Sequence, residues 1–123
     1  MPTLKKGQHR FTQVDVMDAP GAGGAHHAYR VTLAEEQCVS GHPVPIYAVI
    51  DFQKGPVKEN GVNGIFMEDL LQISAHRLEC FQTGPFACQA NADALEHINQ
   101  ALAALNERTA DRQQRNVEGT NQL

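Results

Sequence analysis

In 123 residues the chain has no tryptophan, two tyrosines and three cysteines. An odd number of cysteines with no CxxC pair argues against a disulfide framework and against a zinc ribbon, and it fits reduced thiols in a cytosol. No apolar run approaches the roughly 20 residues of a membrane span. The N-terminal MPTLKKGQHRF has lysines but no apolar stretch behind them, so no secretion signal is expected. Positive charge is also short. The net charge is −4; residues 1–65 carry six basic and six acidic side chains, and residues 66–123 carry four and eight. Proteins that track nucleic-acid polymers usually carry a basic stripe. Without one, long DNA or RNA is not an expected ligand, whereas a small nucleotide held by a few arginines still is.

Catalytic signatures are missing as well. GAGG at 21–24 lacks the GxGxxG order and the Lys-Ser/Thr of a phosphate loop, so it reads as a flexible turn. There is no GxSxG, no HExxH and no paired-carboxylate pattern. Six histidines invite a metal reading. His26 and His27 are adjacent, however, and would point to opposite faces of a strand. Cys38 and His42 form a loose pair with no second pair to complete a zinc site. Cys80 and Cys88 flank a turn and can approach each other, but buried free thiols are the expectation. Neither catalysis, a metal nor a cofactor is expected.

What the chain does have is one change of period. A length of 123 residues with 41% apolar content suits one compact domain over 1–123, one that would gain from oligomerisation. The first half reads as strands: His9–Met17, Ala28–Leu33 and Val44–Phe52. The last puts Ile46, Ala48, Ile50 and Phe52 on one face, and Pro45, Tyr47, Val49 and Asp51 on the other. The Gly-rich DAPGAGGAHH and the polar EEQCVSGHP separate the strands, short enough for an antiparallel meander over about residues 8–53. Residues 54–65, with Asn60-Gly61 and Asn63-Gly64, read as a turn-rich linker. From 66 to 115 the spacing turns helical. Met67, Leu71, Ser74, Leu78 and Phe81 form one heptad-like seam. Cys88, Asn91, Leu95, Ile98, Leu102, Leu105, Thr109 and Arg112 form a second. The fold class is therefore α+β, an N-terminal antiparallel sheet followed by an antiparallel helical hairpin. The tail at 116–123 is expected to fray unless it docks on a partner.

One pentad occurs twice: FQKGP at 52–56 and FQTGP at 81–85. The first closes a strand, so Phe52 is expected to be buried and Gly55-Pro56 to turn the chain away. The second lies between the helices, where Pro85 suits the first helical position with Gly84 or Thr83 as the cap. No other similarity accompanies the two copies, which excludes a duplicated domain and leaves shared turn grammar.

Three polar residues interrupt the second seam. Asn91 is either a local or register-fixing hydrogen bonder, or the amide partner of a ligand. Phe81 is either a hydrophobic plug at the hairpin end or an aromatic face. A ring beside an amide is what a nucleobase needs, a surface to stack on and an edge partner. Arg108, Arg112 and Arg115 share a helix face, where they are either a solvated charged end, with Glu107, Asp111 and Glu118 at hand, or an anion clamp. Seventeen residues of continuous helix, roughly 25 Å, separate Asn91 from Arg108. One small ligand can use both clusters only if they come from different subunits or the helix breaks.

The stretch from about Val49 to Thr120 resembles the Thoeris anti-defence 1 family of phage proteins. The blocks GVNG, RL-x2-FQ-x-GPFAC, Asn91 and RT-x2-R-x2-R-x-VEGT carry the likeness; the first 45 residues do not share it. The resemblance implies an N-terminal sheet followed by a helical hairpin, no catalysis, and sequestration of cyclic ADP-ribose isomers of the glycocyclic type, made by bacterial TIR-domain enzymes in the cytoplasm of the infected host. It also implies a homodimer or higher homo-oligomer with the ligand between subunits, and for some members binding of the cyclic di- or trinucleotides of CBASS signalling. Phe81 then looks like the base-stacking aromatic, Asn91 like its polar partner, and Arg108 and Arg112 like the phosphate and ribose clamps, with Thr109 and Arg115 beside them. The competing readings are an enzyme that degrades such a signal and a small protein-interaction module.

Overall fold

The computed structural model describes residues 2–115. The expected tail at 116–123, with Glu118 and the VEGT part of the last sequence block, lies outside the described residues. The chain divides into two compact units after Ile65.

The first unit is a three-stranded antiparallel sheet in the order β1-β2-β3, with β1 at Thr12–Val16, β2 at Ala28–Leu33 and β3 at Ile46–Asp51. Register places Val14 beside Val31 and Ala48, and Val16 beside Tyr29 and Ile50. Alternation therefore gathers Val14, Val16, Tyr29, Val31, Ala48 and Ile50 on one face. Phe52 joins them through a T-shaped contact with Tyr29, with ring centroids 5.6 Å apart. Phe52 is half-buried rather than buried. One expected member leaves this face. The ladder slips between Val31 and Thr32, so that Thr32 faces Ile46 and Tyr47 bulges out of register. A bulge opposes two residues to one and breaks strict alternation. Ile46 is accordingly 54% exposed, whereas Ala48 and Ile50 stay half-covered.

Both edges of the meander carry extra chain. Val16 donates to the carbonyl of Pro2 and Leu4 to that of Val14, so the N-terminal residues lie along β1. On the other side Ile65 pairs in parallel with Phe52: Ile65 N–H donates to Asp51 O, and Gln53 N–H donates to Ile65 O. Residues 54–65 are thus stitched to the sheet, and they contain a one-turn helix, α1, at Val57–Asn60. Gly64 is required here because a Cβ on it would lie 2.5 Å from the backbone carbon of Phe52 and 2.6 Å from Asp51 O.

A polar cluster tightens the β1 side. The Asp15 carboxylate accepts from Thr3 Oγ1 at 2.6 Å and from Gln13 Nε2 at 3.2 Å, and it faces Arg30 across the strands at 3.7 Å. The Thr3 hydrogen bond leads in holding this buried carboxyl below its ordinary range, with Gln13 and Arg30 adding to it and burial opposing.

The second unit is the helical hairpin, α2 at Met67–Gln82 and α3 at Gln89–Gln114. Asp69 Oδ2 accepts the Phe66 N–H at 2.9 Å, closing the start of α2, where Glu68 and Asp69 also suit the helix dipole. On α3 the half-buried positions Asn91, Leu95, Ile98, Leu102, Leu105, Thr109 and Arg112 follow the expected seam. On α2 the phase differs by one residue. Ala75 is the buried position, whereas Ser74 is exposed and Met67 is 53% exposed. Leu71 and Leu78 belong to both phases, and the small apolar Ala75 fits against a neighbouring helix better than the hydroxyl of Ser74. The large seam residues remain only half-buried, and no residue of α3 is fully covered.

Candidate functional site

The turn between the helices spans 83–88 and is longer than the FQTGP pentad. Pro85 is not the first helical residue. It sits in a turn closed by Ala87 N–H on Gly84 O, and α3 starts at Gln89 with Cys88 as its N-cap. Starting a helix at Pro85 would leave only Thr83 and Gly84 to reverse the chain. The reversal is pinned by Gln82, whose Oε1 accepts the Cys88 N–H at 3.0 Å, and by Thr83 Oγ1 donating to Cys80 O at 2.9 Å.

The first pentad uses its glutamine in the same way. Gln53 Nε2 donates to Gly61 O at 2.8 Å, and its Oε1 accepts the Asn63 N–H at 2.9 Å. Gly55, at φ 75°, then turns the chain into Pro56, the N-cap of α1. In both copies the glutamine amide spans a loop and the Gly-Pro redirects it.

Phe81 lies on the last turn of α2 and Asn91 on the first turn of α3, one on each side of the hairpin turn, and both are half-buried. Asn91 Nδ2 donates to Phe86 O at 3.4 Å. A carbonyl can only accept, so this bond sets the amide orientation and leaves Oδ1 on the other side. One neighbour was not anticipated in the sequence. The Arg77 guanidinium carbon lies 5.1 Å from the Phe81 ring centroid, within cation–π range. The i,i+4 spacing of Arg77 and Phe81 on one helix was the available signal. Phe86, 73% exposed, is a further aromatic on the same turn.

The other expected residues lie far along α3. Arg108 is exposed, Thr109 and Arg112 are half-buried, and Arg115, just past the helix, pairs with Asp111 at 3.2 Å. α3 is continuous over 26 residues. The break that would have let one chain join both clusters is therefore absent, and about 25 Å of helix keeps Asn91 and Arg108 apart.

The remaining polar residues assemble elsewhere. Asp18 Oδ2 accepts the His27 N–H at 2.9 Å, and His26 Nδ1 lies 2.7 Å from Asp18 O. The His27 N–H is the leading cause that lowers the Asp18 carboxyl below its usual range. His27 is buried and precedes β2, so the pair does not straddle a strand as expected. Cys38 donates its thiol to Ala34 O, and Cys80 and Cys88 are exposed rather than buried. Among the described residues no three His, Cys, Asp or Glu side chains are grouped to hold a metal ion. No helix among them is long and apolar enough to cross a membrane. A concavity of about 560 Å³ lies between the Leu4–Arg10 segment and β1, with Lys5, Lys6, Arg10, Glu35 and Glu36 in its wall. None of the six expected site residues lines it.

Two comparisons bear on the hairpin. The family model described as Acb2/Tad1, hairpin domain, matches residues 45–110, more than half of the chain. The chain is also similar to a protein named Thoeris anti-defense 1 from Bacillus phage SBSphiJ7, with 48% identity over 75 residues, covering 61% of this chain and 53% of the relative. The matched part of the chain thus spans about half the length of that relative.

Proposed function

Because this chain belongs to the Acb2/Tad1 hairpin-domain family, we propose that it is a phage anti-defence protein that captures cyclic ADP-ribose isomers and holds them uncleaved. Such signals, of the glycocyclic type, are made by bacterial TIR-domain proteins; removing them from solution leaves the Thoeris effector idle. The single observation that carries this reading is the 48% identity to a protein named for Thoeris anti-defence. The place of action is the cytoplasm of the infected host.

In this reading Phe81 stacks on the base and Asn91 meets its edge, while Arg108 and Arg112 take the phosphates and ribose, with Thr109 and Arg115 beside them. An aromatic face, an amide and guanidinium forks suit a pyrophosphate-linked cyclic nucleotide. With α3 unbroken, the two clusters serve one ligand only when two copies of the chain meet, so the pocket lies between subunits of a homodimer or larger assembly. The half-buried leucines of the hairpin seam support this, since a two-helix layer leaves each of them a side to cover. Cyclic di- and trinucleotides of CBASS signalling are further candidate ligands of the same chemistry.

The test is a melting-shift screen against cyclic nucleotide signals, followed by recovery of the ligand. Any ligand that binds only the folded state raises the melting temperature. Denaturing the complex should return the ligand intact. Recovery of a cleaved product would establish an enzyme instead, and the absence of any shift across the panel would favour a protein-interaction module.

A further inference from the structure

The arginines of this chain differ in what they face. Arg10 lies 3.5 Å from Glu36, Arg30 lies 3.7 Å from Asp15, and Arg115 lies 3.2 Å from Asp111. Arg77 faces a ring instead, with its guanidinium carbon 5.1 Å from the centroid of Phe81. Its helical neighbours three and four residues away are Ile73, Ser74, Cys80 and Phe81, none of them a carboxylate. Arg77 is exposed, and no other Lys or Arg occurs on α2. A guanidinium that lies over a ring still has its N–H fork at the rim, free to meet an anion.

We propose that Arg77 is a further ligand-binding residue, which closes one face of Phe81 so that a base stacks on the other and offers its N–H fork to a phosphate of the same nucleotide. The inference rests on the reading of the hairpin turn as a nucleotide site, and it extends that reading to a residue none of the six expected positions includes. With Arg77 over the ring, Phe81 has one face left, and a single geometry of stacking is selected. In a compact cyclic nucleotide the base and the phosphates are joined through ribose, which keeps the phosphate near the stacked base and within range of a cation at the ring. The turn end of one subunit then supplies stack, amide and cation together, and the distant arginines of another subunit take the remaining charge.

The test is calorimetric titration of the full chain with a cyclic ADP-ribose isomer, comparing the wild type with Arg77→Ala, Arg77→Lys and Arg77→Gln at two salt concentrations, alongside the melting temperature of each free protein. Arg77→Ala is expected to weaken binding about tenfold or more and to flatten the salt dependence, because an anion contact screened by salt is gone. Arg77→Lys is expected to restore part of the affinity and of the salt dependence, since it keeps the charge but not the fork. Arg77→Gln retains the aliphatic stem and reports the loss of charge even if Arg77→Ala folds poorly. Wild-type affinity and salt dependence in Arg77→Gln, with a lowered melting temperature alone, would show a helix-stabilising pair and overturn the inference. If the wild type itself binds no cyclic nucleotide, the reading of the site falls first and the inference with it.

Discussion

Gln82 Oε1 accepts the backbone N–H of Cys88 at 3.0 Å, so the last residue of α2 caps the first turn of α3 from the other side of the loop. Removing that acceptor leaves the N-cap N–H to water and frees the six-residue turn. Gln82→Ala should lower stability by about 1 kcal/mol, the usual contribution of one such bond. Urea unfolding checks it. An unchanged midpoint would mean that the Gly84 and Pro85 geometry holds the turn unaided.

The seam phase on α2 gives a second expectation. Ala75 is 4% exposed, and its neighbour Ser74 is exposed. Ala75→Leu should destabilise by about 1–3 kcal/mol through overpacking, whereas Ser74→Leu should stay within about 0.5 kcal/mol. The reverse order in thermal melts would restore the phase read from spacing alone.

Gly64 packs against backbone, with its Cβ position 2.5 Å from the Phe52 carbonyl carbon. Backbone cannot swing away as a side chain can. Gly64→Ala should therefore cost about 1–3 kcal/mol, with the loss visible in urea unfolding and in faster amide exchange at Gln53 and Ile65.

Acid stability should respond to Asp15. Its folded carboxyl lies below the ordinary value of 3.8. A lowered carboxyl contributes stability that is complete above the unfolded value and is lost as the pH falls through the folded one. Asp15→Asn should thus be less stable near neutrality and show a flatter decline between about pH 5 and pH 2. A series of melts across that range distinguishes the two profiles.

For the nucleotide reading, Phe81→Ala, Asn91→Ala and Arg112→Ala should each weaken binding of a cyclic ADP-ribose isomer by about 100-fold or more, with circular dichroism unchanged. Calorimetry measures this directly. Wild-type affinity in all three would remove the hairpin from the site.

Much of the fold was legible because it depends on period. The strand Ala28–Leu33 lies where the sequence places it, and the α3 seam from Asn91 to Arg112 follows the heptad spacing. The misreadings fall where two patterns share members or where a loop competes with a helix. Leu71 and Leu78 fit two seams, and only packing chooses Ala75 over Ser74. The bulge at Tyr47 moves Ile46 off its face without leaving a mark in the sequence. Pro85 is a good helix starter, but the hydrogen bond from Cys88 to Gln82 pins the loop ahead of a start at Gln89, and that side-chain pairing across the turn is not marked by spacing or propensity. At the candidate site, residue types pointed to Phe81 and Asn91, which lie on the two helix ends that the hairpin turn joins. Arg77 escaped notice because its contact is with a ring rather than a charge.

The chain laid along both sides of the meander has a bearing on abundance. In the proposed role, a binder that works by stoichiometry must be tolerated at concentrations matching its ligand. A three-stranded sheet with bare edges would be poorly suited to this, because free N–H and C=O groups recruit other strands. Here Pro2–Leu4 occupies part of one border, Ile65 part of the other, and the irregularity at Tyr47 spoils the straight run that remains. These few residues act as a hem, leaving less free edge for the sheet of another copy to join.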